Sequence, residues 1–118
     1  MTDTIFYLSS CSTCTRILKE LGLDKSPLLQ DIKSQKITAD QLDNMAKMAG
    51  GYEKLFSRRA IKYRSLGLNE KRLGQDDYRQ LILDEYTFLQ RPVFVLNNNI
   101  YVGSSKNAVE SIKAALLK

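Results

Sequence analysis

The 118-residue chain reads as an α/β protein: a four-stranded mixed sheet flanked by helices, with an all-helical insertion in its middle. Three observations predict this. An apolar run, Ile5-Phe6-Tyr7-Leu8, leads into Cys11-Ser12-Thr13-Cys14 and a stretch of helical spacing. A block covering residues 35–88 then carries helix signals only. Strand character returns at Val93-Phe94-Val95-Leu96, folds back through Asn97-Asn98-Asn99 into Ile100-Tyr101-Val102, and gives way to a last amphipathic stretch.

Each element follows from its own residues. A short continuous apolar run is the pattern of a buried strand, which places the first strand at residues 5–8. Cys14, Ile17, Leu18 and Leu21 recur at helical spacing, so the first helix covers residues 11–21, and Gly22 is its natural stop. Ser26-Pro27 introduces a second short strand, residues 28–32, and the helical connection between the two favours parallel pairing. Thr38-Ala39-Asp40-Gln41 is a capping box in which Thr38 caps the helix and Gln41 reaches back. Leu42, Met45 and Ala49 follow at helical spacing, Gly50-Gly51 ends the helix, and Met45 and Met48 read as core filling. Tyr52, Leu55 and Phe56 fit a shorter helix, residues 60–66 another, and residues 76–85 a third with Tyr78, Leu81 and Ile82 facing inward. The asparagine run tolerates the positive φ of a hairpin turn. Gly103 breaks the return strand, and Ser104 or Ser105 caps a helix with Ala108, Val109, Ile112, Ala115 and Leu116 on one stripe. The order β-α-β, helical block, β-β-α is that of a thioredoxin-like fold, here one domain over residues 1–118 with the insertion at 35–88.

Composition narrows the chemistry. The chain has no histidine, which removes Ser-His-Asp and Cys-His mechanisms. Its net charge of +5 suits an anionic substrate, glutathione or an acidic protein surface. The basic residues are scattered and match no nucleic-acid motif, so no direct nucleic-acid partner is expected. No apolar run reaches the length of a membrane span, and Met1-Thr2-Asp3-Thr4 lacks the features of a signal peptide. A reducing cytoplasm is therefore the expected compartment, with thiols that serve catalysis or sensing rather than structure.

Cys-x-x-Cys at the first turn of a helix that follows a strand is a redox arrangement. A thiol there meets unpaired backbone N–H groups and the positive end of the helix dipole, which favour its thiolate. Cys11, ahead of the helix body, is the nucleophile candidate, and Cys14, one turn on and more shielded, the resolving one. The alternatives are an inert buried pair or half of a zinc site. With no other cysteine and no histidine, four zinc ligands cannot be assembled in the usual way, and no metal or bound cofactor is expected. Ser12 and Thr13 either contribute amides and hydroxyls beside the thiolate or simply start the helix. Arg91-Pro92 reads as a plain strand entry or, by analogy with thioredoxin-like folds, as a cis-proline that faces the active cysteine and brings Arg91 beside it. A guanidinium there would stabilise a thiolate and bind an oxyanion bidentately. Arg58 and Arg59, with Lys62 and Arg64, make either a solvated face or an anion site.

The chain resembles the arsenate reductase family with its Spx branch over almost its whole length. The resemblance rests on Ile5-Phe6-Tyr7 before Cys11, Leu55-Phe56-Ser57-Arg58-Arg59, Tyr63-Arg64-Ser65-Leu66-Gly67-Leu68, and Arg91-Pro92-Val93. For the glutaredoxin-linked enzymes it implies that Cys11 attacks the oxyanion, that glutathione or glutaredoxin donates electrons, and that Arg91 and Pro92 lie in the site. Strict register puts Ser57 where a second oxyanion-binding arginine is expected, next to Arg58 and Arg59, and Gly103-Ser104 where a third is expected. For the Spx branch it implies a disulfide switch of Cys11 and Cys14, sensed by Arg91. It also implies a partner, the C-terminal domain of the RNA polymerase α-subunit, with Gly51 and Arg59 matching that contact. Thr15 stands where Spx-like chains often carry a basic residue. Three functions stay open: a thiol oxidoreductase acting on a small oxyanion or thiol substrate, a redox-switched regulator, and a relative without redox turnover.

Overall fold

The computed structural model describes residues 2–117. Its chain divides into two compact units, one running to Lys36 and resuming at Arg91, the other spanning Ile37–Gln90.

The first unit holds the sheet. Strands β1 (Thr4–Tyr7), β2 (Leu29–Asp31), β3 (Val93–Leu96) and β4 (Asn99–Val102) lie in the order β2-β1-β3-β4. β1 pairs parallel with β2 and antiparallel with β3, and β3 pairs antiparallel with β4. Register puts Leu29, Ile5, Phe94 and Tyr101 side by side across all four strands. Side chains in one row share a face, and this row packs with Leu18 of helix α1 (Ser12–Glu20) and Ile112 of helix α5 (Lys106–Leu116). Alternation sends Phe6, Val93 and Val95 to the opposite face, where they are fully buried. Asn97 and Asn98, with φ of 51° and 64°, make the two-residue hairpin turn, so β4 begins one residue earlier than the apolar pattern suggests. Ser105 caps α5 by accepting the Ala108 N–H at 3.1 Å. Leu116, expected on the inner stripe, is 42% exposed, because α5 reaches its last turn there and only Val109 and Ile112 are buried.

The second unit is helical. Its helices are α2 (Ala39–Ala49), the short α3 (Ile61–Ser65) and α4 (Gln75–Asp84). The capping box of α2 is formed: Thr38 Oγ1 accepts the Gln41 N–H at 3.0 Å and Gln41 Oε1 accepts the Thr38 N–H at 3.1 Å. Met45 is fully buried as core filling, whereas Met48 is half-buried. Gly50 ends α2 in the left-handed region, and Gly51 follows with φ of +142°, where a Cβ would meet Gln75 Oε1 at 3.1 Å. The helix expected around Tyr52, Leu55 and Phe56 is a single 3₁₀ turn, Glu53–Leu55, because Phe56 turns extended and bridges Leu89. Ser57 N–H donates to Phe88 C=O and Gln90 N–H to Leu55 C=O, at 2.6 and 2.8 Å, which locks that extended segment. The Phe56 ring stacks on Phe88 and meets Tyr78 and Tyr63, with centroids 5.1, 4.9 and 5.8 Å away. In α4, Tyr78 and Ile82 are buried as the spacing predicts, and Leu81 is half-buried. Asp43 accepts from Arg79 Nε at 2.8 Å and from the Tyr52 hydroxyl at 2.6 Å, tying α2 to α4.

The α2 cap is exposed and local, so its loss should cost what an isolated cap costs. Thr38→Ala should destabilise the protein by about 1 kcal/mol in urea unfolding with an unchanged m-value. A change within error of zero would mean that α2 is held by packing alone.

Candidate active site

Cys11 is the N-cap residue of α1, in extended conformation, and its C=O accepts the Thr15 N–H at 3.1 Å as the first helical bond. Its own N–H donates to Leu8 C=O at 3.0 Å, closing a turn at the end of β1. Ser12 and Thr13 are the first two helical residues, the former exposed and the latter half-buried. Cys14 is fully buried on the inner stripe of α1, and Cys11 is half-buried. Both are free thiols.

The Arg91–Pro92 peptide bond is cis. Pro92 is buried, and its C=O accepts the Gly103 N–H at 2.9 Å. The antiparallel register of β1 and β3 pairs Phe6 with Val93, and continuing it brings Arg91 level with Leu8. That is how a residue so distant along the chain arrives beside the cysteine turn.

The two thiols are driven apart in acidity. Partial burial works against a charge on Cys11, yet the amide and thiol of Cys14 and the charge and N–H groups of Arg91 outweigh it, so its pKa is lowered. The neutral sulfur makes no capping hydrogen bond with α1, and it is the ionised form that the Cys14 amide favours. Cys14 is pushed up to about 11 by burial, which outweighs the opposing Leu8 amide; the neighbouring Cys11 adds to the rise and the Arg91 charge takes a little from it. The first proton to leave the pair therefore leaves Cys11, and Cys14 keeps its own to higher pH.

Arg58 and Arg59 belong to the helical unit. Arg58 pairs with Glu53 at 2.8 Å, donates to the Tyr78 hydroxyl at 3.1 Å and lies 5.9 Å from the centre of that ring. The Glu53 bond, despite slight burial, raises its pKa. Lys62 pairs with Glu85, while Arg59 and Arg64 are exposed. Among the sequence-predicted residues, the sheet unit thus brings together Cys11, Ser12, Thr13, Cys14, Arg91 and Pro92. Among the described residues no group of three or more carboxylate, cysteine or histidine side chains is set to hold a metal ion, and no helix is long and apolar enough to cross a membrane. Sequence reasoning missed Leu8, whose backbone serves both cysteines, and Asp31, whose carboxylate accepts the Ser9 N–H ahead of Cys11. Backbone roles leave no trace in residue type, and Asp31 comes close only through β1–β2 pairing.

This arrangement defines a thioredoxin-like protein with a Cys-x-x-Cys pair at the first helix and a cis-proline at the entry to the third strand. The model of the ArsC family matches residues 6–112, and the chain belongs to that family. It is 26% identical over 108 residues to the global transcriptional regulator Spx of Staphylococcus aureus, covering 90% of this chain and 82% of Spx. Among solved structures, the possible arsenate reductase of Streptococcus mutans superposes with a TM-score of 0.69 at 28% identity, covering 93% of this chain and 96% of that one. An ArsC family related protein of Bacteroides fragilis superposes with a TM-score of 0.77 at 21% identity over 95% of this chain and 99% of the other, a likeness of fold.

Arg91 is the group whose removal separates a tuned thiol from an ordinary one. Arg91→Ala should slow alkylation of Cys11 at pH 7 by about three- to tenfold, because less thiolate remains. A lowered pKa means the thiolate persists as pH falls toward neutrality, so the loss should shrink at pH 10, where either form is ionised. Arg91→Lys should restore most of the rate, since a point charge remains. Unchanged alkylation across pH would make Arg91 structural.

Proposed function

We propose that the protein is a thiol oxidoreductase with Cys11 as nucleophile and Cys14 as resolving cysteine. The opposed acidities of the two thiols at one helix start, with Arg91 beside them, carry this reading. The Cys11 thiolate attacks an oxidised acceptor. With a disulfide, a bond forms between Cys11 Sγ and one acceptor sulfur, and the other sulfur leaves as a thiolate. Forming this mixed disulfide discharges Cys11. Cys14 then loses the neighbour that helped to raise its pKa and gives up its proton more readily. Its sulfur attacks Cys11 Sγ, expels the second acceptor thiolate and leaves a Cys11–Cys14 disulfide. Two electrons have passed to the acceptor, and two molecules of glutathione, or a reduced glutaredoxin, return them to the pair. With arsenate, the Cys11 sulfur forms a bond to arsenic and an arsenic-bound oxygen leaves as water, protonated from the arsenate and solvent. Attack on Cys11 Sγ by the Cys14 thiolate or by glutathione then breaks the S–As bond, so that two thiols become a disulfide and the arsenic leaves as arsenite, reduced by two electrons. Arg91 stabilises the thiolate and the incoming anion by charge-assisted hydrogen bonds. The cytoplasm, rich in glutathione, supplies the reductant that this cycle needs.

A second reading is favoured by the 26% identity to Spx over most of both chains. In it, the same disulfide is a switch, Arg91 senses it, and the partner is the C-terminal domain of the RNA polymerase α-subunit. Gly51, one of the residues matching that contact, is already required here by its own backbone and by the approach of Gln75.

Turnover should be measured with arsenate and with a small disulfide in the presence of glutathione and glutaredoxin, beside a pull-down with the polymerase α-subunit. The enzyme reading expects turnover that Cys11→Ser abolishes, whereas Cys14→Ser accumulates a mixed disulfide visible by mass spectrometry. No turnover with any acceptor, together with redox-dependent retention of the α-subunit, would replace it with the regulator.

A further inference from the structure

The turn that delivers Cys11 is held from two sides. On its own strand, the Cys11 N–H bonds to Leu8 C=O at 3.0 Å. From the neighbouring strand comes Asp31, the last residue of β2, whose Oδ1 accepts the Lys33 N–H at 3.2 Å and the Ser9 N–H at 3.5 Å. The parallel register that sets Tyr7 beside Asp31 makes this reach short, and the Ile32 N–H bonded to Tyr7 C=O at 2.9 Å fixes the backbone behind it. We propose that Asp31 is a positioning residue for Cys11: by holding Ser9, its carboxylate fixes the turn that sets the Cys11 sulfur at the start of α1, against the Cys14 amide and Arg91. The proposal rests on the reading of Cys11 as the nucleophile.

Two further observations support it. Slight burial disfavours the charge on Asp31, yet the Ser9 hydroxyl, the Lys33 and Ser9 amides and the Lys33 ammonium outweigh it and hold its carboxyl below the usual carboxylate range. The carboxylate is thus present as an acceptor throughout the working range of a thiolate. The turn also has consequences for both sulfurs, because Leu8 accepts from Cys11 through its C=O and favours the Cys14 thiolate through its N–H. A loosened turn misplaces the thiolate with respect to all its stabilisers together.

Positioning and bare charge predict opposite signs. A second anion near Cys11 disfavours its thiolate, so if charge alone mattered, removing Asp31 would lower the Cys11 pKa. If Asp31 acts by holding Ser9, removing it raises that pKa. The experiment is alkylation of Cys11 by iodoacetamide as a function of pH, followed by peptide mass spectrometry so that Cys14 is read separately. Asp31→Ala should raise the midpoint and slow the reaction at pH 7 by about threefold. Asp31→Asn keeps an acceptor oxygen for both amides and should react like the wild type or slightly faster. Ser9→Ala, an exposed change that removes only the hydroxyl partner, should give a smaller slowing in the same direction and serves where Asp31→Ala is poorly folded. A faster reaction in both Asp31 variants, or wild-type midpoints in Asp31→Ala and Ser9→Ala alike, would overturn the positioning role alone. A wild-type midpoint at or above that of a free cysteine would end the nucleophile reading and this role with it.

Discussion

Strand order is the constraint on which the site depends. Because β1 lies between β2 and β3, its C-terminal end is flanked from both sides. The segment entering β3 brings in Arg91 by continuation of the antiparallel register, and β2 contributes Asp31 through parallel register. The chain leaving β1 must turn at once into α1, and Cys11 sits at that turn, where helix amides are unpaired. The row Leu29, Ile5, Phe94 and Tyr101, packed with Leu18 and Ile112, and the buried Phe6, Val93 and Val95 on the opposite face hold this register, since a slip of one residue would exchange side chains between two faces that are each already packed. Burial in the sheet unit thus does the chemical positioning: the core fixes the register, and the register fixes the charges around the sulfur.

The opposed acidities follow from depth along one helical turn. Cys11, at the mouth, loses less hydration than it gains from the Cys14 amide and Arg91. Cys14, one turn in, loses hydration outright and also faces the charge of Cys11. Neither effect needs a histidine, which the chain lacks. Membership of the ArsC family is consistent with this geometry, but it spans both reductases and regulators.

Much of the fold was legible because its signals are local. The capping box of Thr38 and Gln41, the Asn97-Asn98 turn, the stop at Gly50 and the cap at Ser105 each depend on residues within about four positions of one another. What was not legible depends on distant partners. Phe56 looked helical by spacing but is drawn extended by its bridge to Leu89. Arg58 reads in sequence as part of a solvated face or an anion site, and its bonds to Glu53 and the Tyr78 hydroxyl are not announced by that pattern. Within the site, residue type announced Cys11, Cys14 and the Arg91-Pro92 pair, whereas Asp31 and the Leu8 backbone became visible only when the strands were placed side by side.

The central claim is that the first proton to leave the cysteine pair leaves Cys11. It is tested most directly by carbon NMR of protein labelled at the cysteine Cβ positions, titrated under reducing conditions with each resonance assigned by single Cys→Ser variants. The account predicts that the Cys11 resonance moves first, with a midpoint below the ordinary cysteine value, while Cys14 holds its proton until about pH 11. Cys14 moving first, or both resonances moving together at the ordinary value, would contradict it.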